Sequence, residues 1–277
     1  MGATFVIGLR EGIEAALIVS ILLAYLRKIG RADGARLVWL GTFGAVGVSA
    51  VAGTVLFLIG DGFEGAAENL FAGAATLSAV GVLTWMIFWM RQQAAGLRDE
   101  LHGKVDSALL AGGLALAAIA FLAVLREGIE TALFLFAAAK GTAVAAGGVA
   151  GQLLGALLGL ATAVVLGALL YRGGLRLNLR AFFRVTGFAL VAIGAGLLAY
   201  ALHEFQEAGA LPVLGATAYD LSATLPDDTG IGAILRGVVG YHASPSVLEV
   251  LAWLAYVTVV GAAYLRPAPA RTVARAA

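Results

Sequence analysis

Cysteine is absent from this chain, and there are only five prolines, three histidines and three methionines. No disulfide or thiolate metal site can form, and soft or imidazole-rich metal sites are poorly supplied. Charge is scarce as well: 13% of residues are Asp, Glu, Lys or Arg, against about 25% in soluble domains. No Ser-His-Asp constellation and no phosphate-cradling loop rises above chance, and neither a nucleic-acid partner nor an organic cofactor is expected.

What the sequence does hold is hydrocarbon. Hydrophobic residues make up 61% of the 277, and the mean hydropathy is +0.95. A run of about 20 apolar residues crosses a bilayer core of about 30 Å as helix. Seven such segments can be laid out, near 3–26, 37–59, 68–90, 108–139, 147–171, 183–203 and 246–265. The expected fold class is all-α, a polytopic membrane protein with about seven transmembrane helices. The fourth segment is longer than a straight crossing needs, so it is tilted or broken, and Gly112-Gly113 is the candidate break. A cleaved signal peptide at 1–26 would want a basic leader, a short apolar stretch and a small-residue cleavage site; none is present, and the segment reads as the first span.

Basic residues follow the odd-numbered segments. Arg27, Lys28, Arg31 and Arg36 come after the first, and Arg91, Arg98 and Lys104 after the third. Arg172, Arg176, Arg180 and Arg184 come after the fifth, and Arg266, Arg271 and Arg275 after the seventh. Only Lys140 and Arg236 follow even-numbered segments. The positive-inside rule then places the N-terminus outside and the C-terminus in the cytoplasm, in a plasma membrane, for a bacterium the inner one. Acids show the opposite bias, with Asp61, Glu64, Glu68, Glu204, Glu207, Asp220, Asp227 and Asp228 outside, which should draw cations to the outer face.

Two of the most apolar segments carry the same charged pentapeptide, REGIE at 10–14 and again at 126–130. The first lies on a span that leaves the outside and the second on one that leaves the inside. Three spans followed by another three with the same signature is the pattern of an inverted-topology repeat. The chain is therefore read as a single transmembrane permease domain, 1–277: repeat one 1–106, repeat two 107–207, an outer loop 208–243, a last helix 244–266 and a cytoplasmic tail 267–277. Residues 208–243 are too interrupted to cross, though they can lie over the outer mouth as a lid or re-entrant segment.

Helical spacing puts Glu11 and Glu14 on neighbouring positions of one face, and does the same for Glu127 and Glu130. Arg10 to Glu14 and Arg126 to Glu130 are four apart, so each motif can also neutralise itself with an internal ion pair. Six ionisable residues near a bilayer centre, at about 2.5–3.5 kcal/mol each, nevertheless point to transport or ion binding rather than packing. Four carboxylates against two guanidiniums leave two negative charges in excess, which suits a hard multivalent cation. Gly12 and Gly128 would let the two helices approach and bring the pairs together. A di-iron enzyme would want Glu-x-x-His, whereas here the residue three after each first glutamate is another Glu. The protein is read as no enzyme.

The paired motifs, one in the first and one in the fourth of seven spans, resemble those of the oxidase-dependent iron permeases of bacteria and fungi, in the iron/lead transporter superfamily. The likeness extends to HEFQEAGALP at 203–212 and GYHASPSVLEVLAW at 240–253. The resemblance implies import of iron, as Fe2+ or Fe3+, with Glu11, Glu14, Glu127 and Glu130 as metal ligands and Arg10 and Arg126 as charge-compensating residues. The variable motif position, often Leu in the family, is Ile13 and Ile129 here. It also implies an iron-oxidising or periplasmic iron-delivery partner; the transported iron ion is the expected substrate, and a homo-oligomer is allowed. Another divalent metal, such as manganese or lead, is the alternative cargo.

His203, Glu204 and Glu207 stand where the sixth span reaches the outer surface. Acids at a helix C-terminus oppose the macrodipole, so cation capture is a candidate role there, as it is for Asp61, Glu64 and Glu68 before span three. Ordinary solvation is the alternative for both sets. Glu249 fits a capping box with Ser246. Trp39, Trp85 and Trp89 read as interfacial anchors.

Overall fold

A chain in hydrocarbon must satisfy each backbone N–H and C=O within itself, which leaves helix as the form open to long apolar runs. The computed structural model describes residues 2–93, 97–112, 114–141, 148–172 and 179–266, and it is all-helical, with no strand among these residues beyond an isolated bridge between Thr217 and Ser246. The elements are α1 (Gly2–Lys28), α2 (Ala35–Asp61), α3 (Ala66–Gln93), α4 (Leu97–Ala111), α5 (Leu114–Gly141), α6 (Gly148–Tyr171), α7 (Leu179–Glu207), α8 (Gly230–Val239) and α9 (Val247–Leu265). Five of them, α2, α3, α6, α7 and α9, are long and apolar enough to cross a membrane. α1 and α5 match them in length at 27 and 28 residues, about 40 Å each, and differ by carrying the charged motifs.

The long fourth segment breaks where two glycines follow one another. Gly112 has φ +108°, open to a residue without Cβ, and separates α4 from α5; Gly113 lies outside the described residues. α4 is a helix that hydropathy alone leaves as loop. It docks on α1, where the Tyr25 hydroxyl donates to Asp106 at 2.8 Å and the Tyr25 ring stacks on His102 at 4.0 Å.

Outward faces of α2, α6 and α9 carry exposed apolar side chains such as Phe43, Leu58, Leu157, Val164 and Val259, as expected of surfaces that face lipid. Inside, α1 packs chiefly on α6, α2 on α5, α3 on α7, and α7 on α9, while α1 also touches α5. Small residues set the closest approaches. A Cβ on Gly8 would lie 2.7 Å from the Ala156 carbonyl, and one on Gly12 would lie 2.7 Å from Ala163 Cβ, both on α6.

Two large apolar clusters flank the motifs. One gathers Ala3 and Ile7 of α1, Leu83 and Met86 of α3, Phe134 and Ala137 of α5, and residues of α7 and α9. The other gathers Leu22 and Leu26 of α1 with Val38 of α2, Val105 of α4, and Leu116 and Val124 of α5. α1 meets the first cluster, then its motif, then the second; α5 meets them in the reverse order. The two motif helices therefore run oppositely through a polar layer enclosed by apolar packing above and below.

The helix within residues 208–243 is α8, ten residues long. Gly240 (φ +70°) closes α8 in the left-handed conformation, with its backbone directly on Gly196 of α7, so a Cβ fits on neither. Val247 N–H donates to Ala216 carbonyl at 2.9 Å, tying this segment to the start of α9. The capping box expected there is present, with Ser246 accepting from Glu249 N–H and Glu249 accepting from Ser246 N–H.

Candidate functional site

At 3.6 residues per turn, positions three and four apart share a helix face, so Arg10, Glu11 and Glu14 of α1 and Arg126, Glu127 and Glu130 of α5 can each present one polar patch. The structure turns the two patches to each other. Glu11, Glu14 and Glu127 each place a carboxylate oxygen within 4.8 Å of the others, and all three side chains are buried. Glu130 is buried on the same helix, one turn beyond Glu127.

Each arginine pairs first within its own motif. Arg10 Nη1 donates to Glu11 Oε1 at 3.0 Å and its Nη2 lies 3.4 Å from Glu14 Oε1. Arg126 Nε donates to Glu130 Oε1 at 2.9 Å and lies 4.0 Å from Glu127 Oε1. These pairs do not saturate the carboxylates. Glu11 Oε2, Glu127 Oε2 and Glu130 Oε2 are buried without a hydrogen-bond partner among the described residues, and Glu14 Oε1, also buried, has only its long ion pair with Arg10. A charged oxygen left so is costly, by more than the roughly 1–3 kcal/mol of a neutral polar group. A cation held among Glu11, Glu14 and Glu127 would answer the three that converge, and the donor set, oxygen only, is the kind hard or borderline cations prefer.

The third helix supplies what the motifs lack. Arg10 Nη1 also reaches Met86 Sδ at 3.2 Å, and the guanidinium of Arg126 sits over Trp89 and Trp85, 4.1 and 5.6 Å from their ring centroids. One turn of α3 thus touches both arginines. Reading Trp85 and Trp89 as interfacial anchors overlooked this contact, and nothing in the spacing of α3 announces it. The two halves are unequal here, since Arg10 is 2% exposed while the side chain of Arg126 is 34% exposed.

The motif glycines do not face each other. Gly12 turns to Ala163 and Leu160 of α6, and Gly128 turns to Ser49 of α2. The reason lies in helix geometry: a residue one position from Glu11 or Glu127 is rotated about 100°, so turning the carboxylates inward turns the glycine to the flanking helix. The glycines seat α1 and α5 on their neighbours, which fixes the direction in which the glutamates point.

The outer set divides. His203 Nε2 lies 3.3 Å from Glu207 Oε1, and Asn69 Nδ2 donates to Glu207 Oε2 at 3.4 Å, joining the start of α3 to the end of α7. Glu68 pairs with Lys140 at 3.0 Å. Glu204 is buried and lines a cavity of about 180 Å³ with Lys140, Tyr200 and His203. Glu64 is exposed, and the side chain of Asp61 lies outside the described residues. Sequence reading gave His242 no role, counted Asp227 only among the outer acids, and saw in Glu249 only its cap; the fold brings all three to this end of the bundle.

Comparison with known proteins bears on the whole chain. A family model described as the iron permease FTR1 family matches residues 1–269. The chain is 41% identical over 281 residues to the ferrous iron permease EfeU of Escherichia coli O157:H7, covering 100% of each. It is 37% identical over 259 residues to the protein of that name from Yersinia pestis, covering 92% of this chain and 90% of the other. No solved structure matches it.

Proposed function

The chain belongs to the iron permease FTR1 family, and on that premise we propose that it imports iron through a site made by Glu11, Glu14, Glu127 and Glu130, with Arg10 and Arg126 balancing charge. The observation that carries this reading is the convergence of carboxylates from two helices, each with an oxygen buried and unsatisfied. The names of the relatives favour Fe2+ as cargo, and the two excess negative charges match it. The chain acts as a transporter rather than an enzyme.

α1 and α5 join the five apolar helices as the sixth and seventh spans, with the N-terminus outside. Helix pairing supports the inverted repeat. Exchanging α1, α2 and α3 for α5, α6 and α7 turns the α1/α6 contact into the α5/α2 contact and leaves α3/α7 and α1/α5 unchanged. The opposite order in which α1 and α5 meet the two apolar clusters supports it too. A site at the interface of such halves opens alternately when one rocks against the other.

Inward passage of Fe2+ across an inside-negative bacterial inner membrane gains roughly 4.6 kcal/mol per 100 mV, about 2.3 per charge. The glutamate oxygens replace part of the ion's water shell, and the two arginines keep the empty site from carrying its full negative charge. A partner that oxidises or delivers iron belongs to this reading through the family resemblance.

An anomalous-scattering map of iron-soaked crystals tests the assignment. Density between α1 and α5 is expected, and density elsewhere alone would overturn it. Radiolabelled iron uptake with manganese or lead as competitors identifies the cargo.

A further inference from the structure

A second group of ligating side chains lies at the outer ends of α7 and α9, apart from the paired motifs. His203 places Nδ1 3.1 Å from Glu249 Oε1, and His242, just beyond α8, places Nδ1 3.1 Å from Glu249 Oε2. The two rings meet edge to face with centroids 5.2 Å apart. One ligand atom from each of the three residues lies within 4.8 Å of the others, and Glu249 is 4% exposed.

Both histidines are held between carboxylates. His203 Nε2 is 3.3 Å from Glu207, and His242 Nε2 is 3.7 Å from Asp227, which Arg236 steadies at 3.1 Å. A neutral imidazole has one donor and one acceptor nitrogen, so between two carboxylates it sets a lone pair against an oxygen. A second ring proton or a cation between ring and Glu249 removes that conflict, and with a cation bound Glu207 and Asp227 play the orienting part that carboxylates play behind metal-bound histidines. Two imidazoles and one carboxylate suit a borderline divalent transition metal, Fe2+ among them. The cavity lined by Tyr200, Glu204 and Lys140 adjoins this cluster. Lys140 stands ten residues beyond Glu130 on α5, about 15 Å along the helix.

We propose that His203, His242 and Glu249 form an outer binding site for a divalent transition-metal cation, occupied before the ion reaches the glutamates between α1 and α5. The site adds to the transport reading and rests on it only for the identity of the ion and the order of occupancy.

The test uses the full chain in nanodiscs with Mn2+ as probe, combining equilibrium dialysis with electron spin-echo modulation. The wild-type protein should hold about two equivalents, and its echo should carry imidazole nitrogen coupling, a measurement that needs no variant to fold. Glu14→Gln with Glu130→Gln should keep one equivalent with that coupling. His203→Ala with His242→Ala should lose the coupling and weaken one equivalent at least about tenfold. Wild-type Mn2+ bound through oxygen alone would overturn this proposal and leave the intramembrane site standing. Coupling and stoichiometry unchanged in Glu14→Gln with Glu130→Gln would sink the intramembrane site and leave this one.

Discussion

The guanidinium of Arg126 lies over the indole of Trp89, 4.1 Å from the ring centroid, while the same side chain donates to Glu130 at 2.9 Å. Trp89 therefore holds the arginine in the position from which it neutralises the glutamate. A partly desolvated cation–π contact is worth about 0.5–2 kcal/mol. Trp89→Ala should destabilise the protein by that amount and slow iron uptake, whereas Trp89→Phe, which keeps a π face, should lose less than half as much. Thermal unfolding in detergent beside proteoliposome uptake checks both. Equal effects of Ala and Phe would show that the ring face is irrelevant.

Gly128 meets the side chain of Ser49 so closely that a Cβ would overlap it. Gly128→Ala should cost about 1–3 kcal/mol as an overpacked contact and tilt the glutamates of α5 away from those of α1. Ser49→Gly alone should be mild. Combined with Gly128→Ala it should restore most of the stability and uptake, because the space surrendered on α2 accepts the new methyl. A double variant no better than Gly128→Ala would mean that the glycine serves backbone flexibility instead.

Legibility in the sequence followed the physics of each feature. Long apolar runs announce helices because lipid leaves the backbone no other form, and a pair of adjacent glycines announced the break at Gly112. The motif spacing revealed which glutamates share a face. α4 escaped because Arg98, Asp99, Glu100, His102 and Lys104 make 97–111 polar on average, although Leu101, Val105 and Ala108 repeat at helical intervals and bury themselves against α1 and α5. His203 and Glu207 are four apart and could be paired by spacing. His242 and Glu249 join them only because Gly240 lies against Gly196 and an irregular segment folds back, which no local pattern encodes.

Arg10 and Arg126 occupy equivalent motif positions in unequal surroundings. Arg10 is almost wholly buried against Glu11, Glu14 and Met86, and Arg126 is a third exposed. Removing one partner of a buried ion pair costs roughly 3–5 kcal/mol, an exposed pair contributes up to about 1, and the pair of part-exposed Arg126 with buried Glu130 falls between the two. Arg10→Met should therefore lower the melting temperature on the order of 10 °C, and Arg126→Met by only a few degrees, as scanning fluorimetry in detergent would record. The reverse ranking would contradict the environments assigned to the two motifs.

The four glutamates differ in their pairing but share the same unmet need. Each has one oxygen tied or close to an arginine in its own motif, and each has a buried oxygen without a hydrogen bond. Replacing any one with Gln keeps the shape and removes a charge, and losing one charged ligand at about 1.4 kcal/mol is a tenfold loss in affinity. Glu11→Gln, Glu14→Gln, Glu127→Gln and Glu130→Gln should each reduce iron uptake at limiting concentration at least about tenfold. Glu64→Gln, at an exposed outer position, should stay within about twofold. The arginine balance adds a sign to this: Glu→Gln leaves the site less negative, so the remaining transport should tilt toward ions of lower charge. Uptake by each Gln variant that matches wild type at limiting iron would show that the convergence of α1 and α5 carboxylates has no part in permeation.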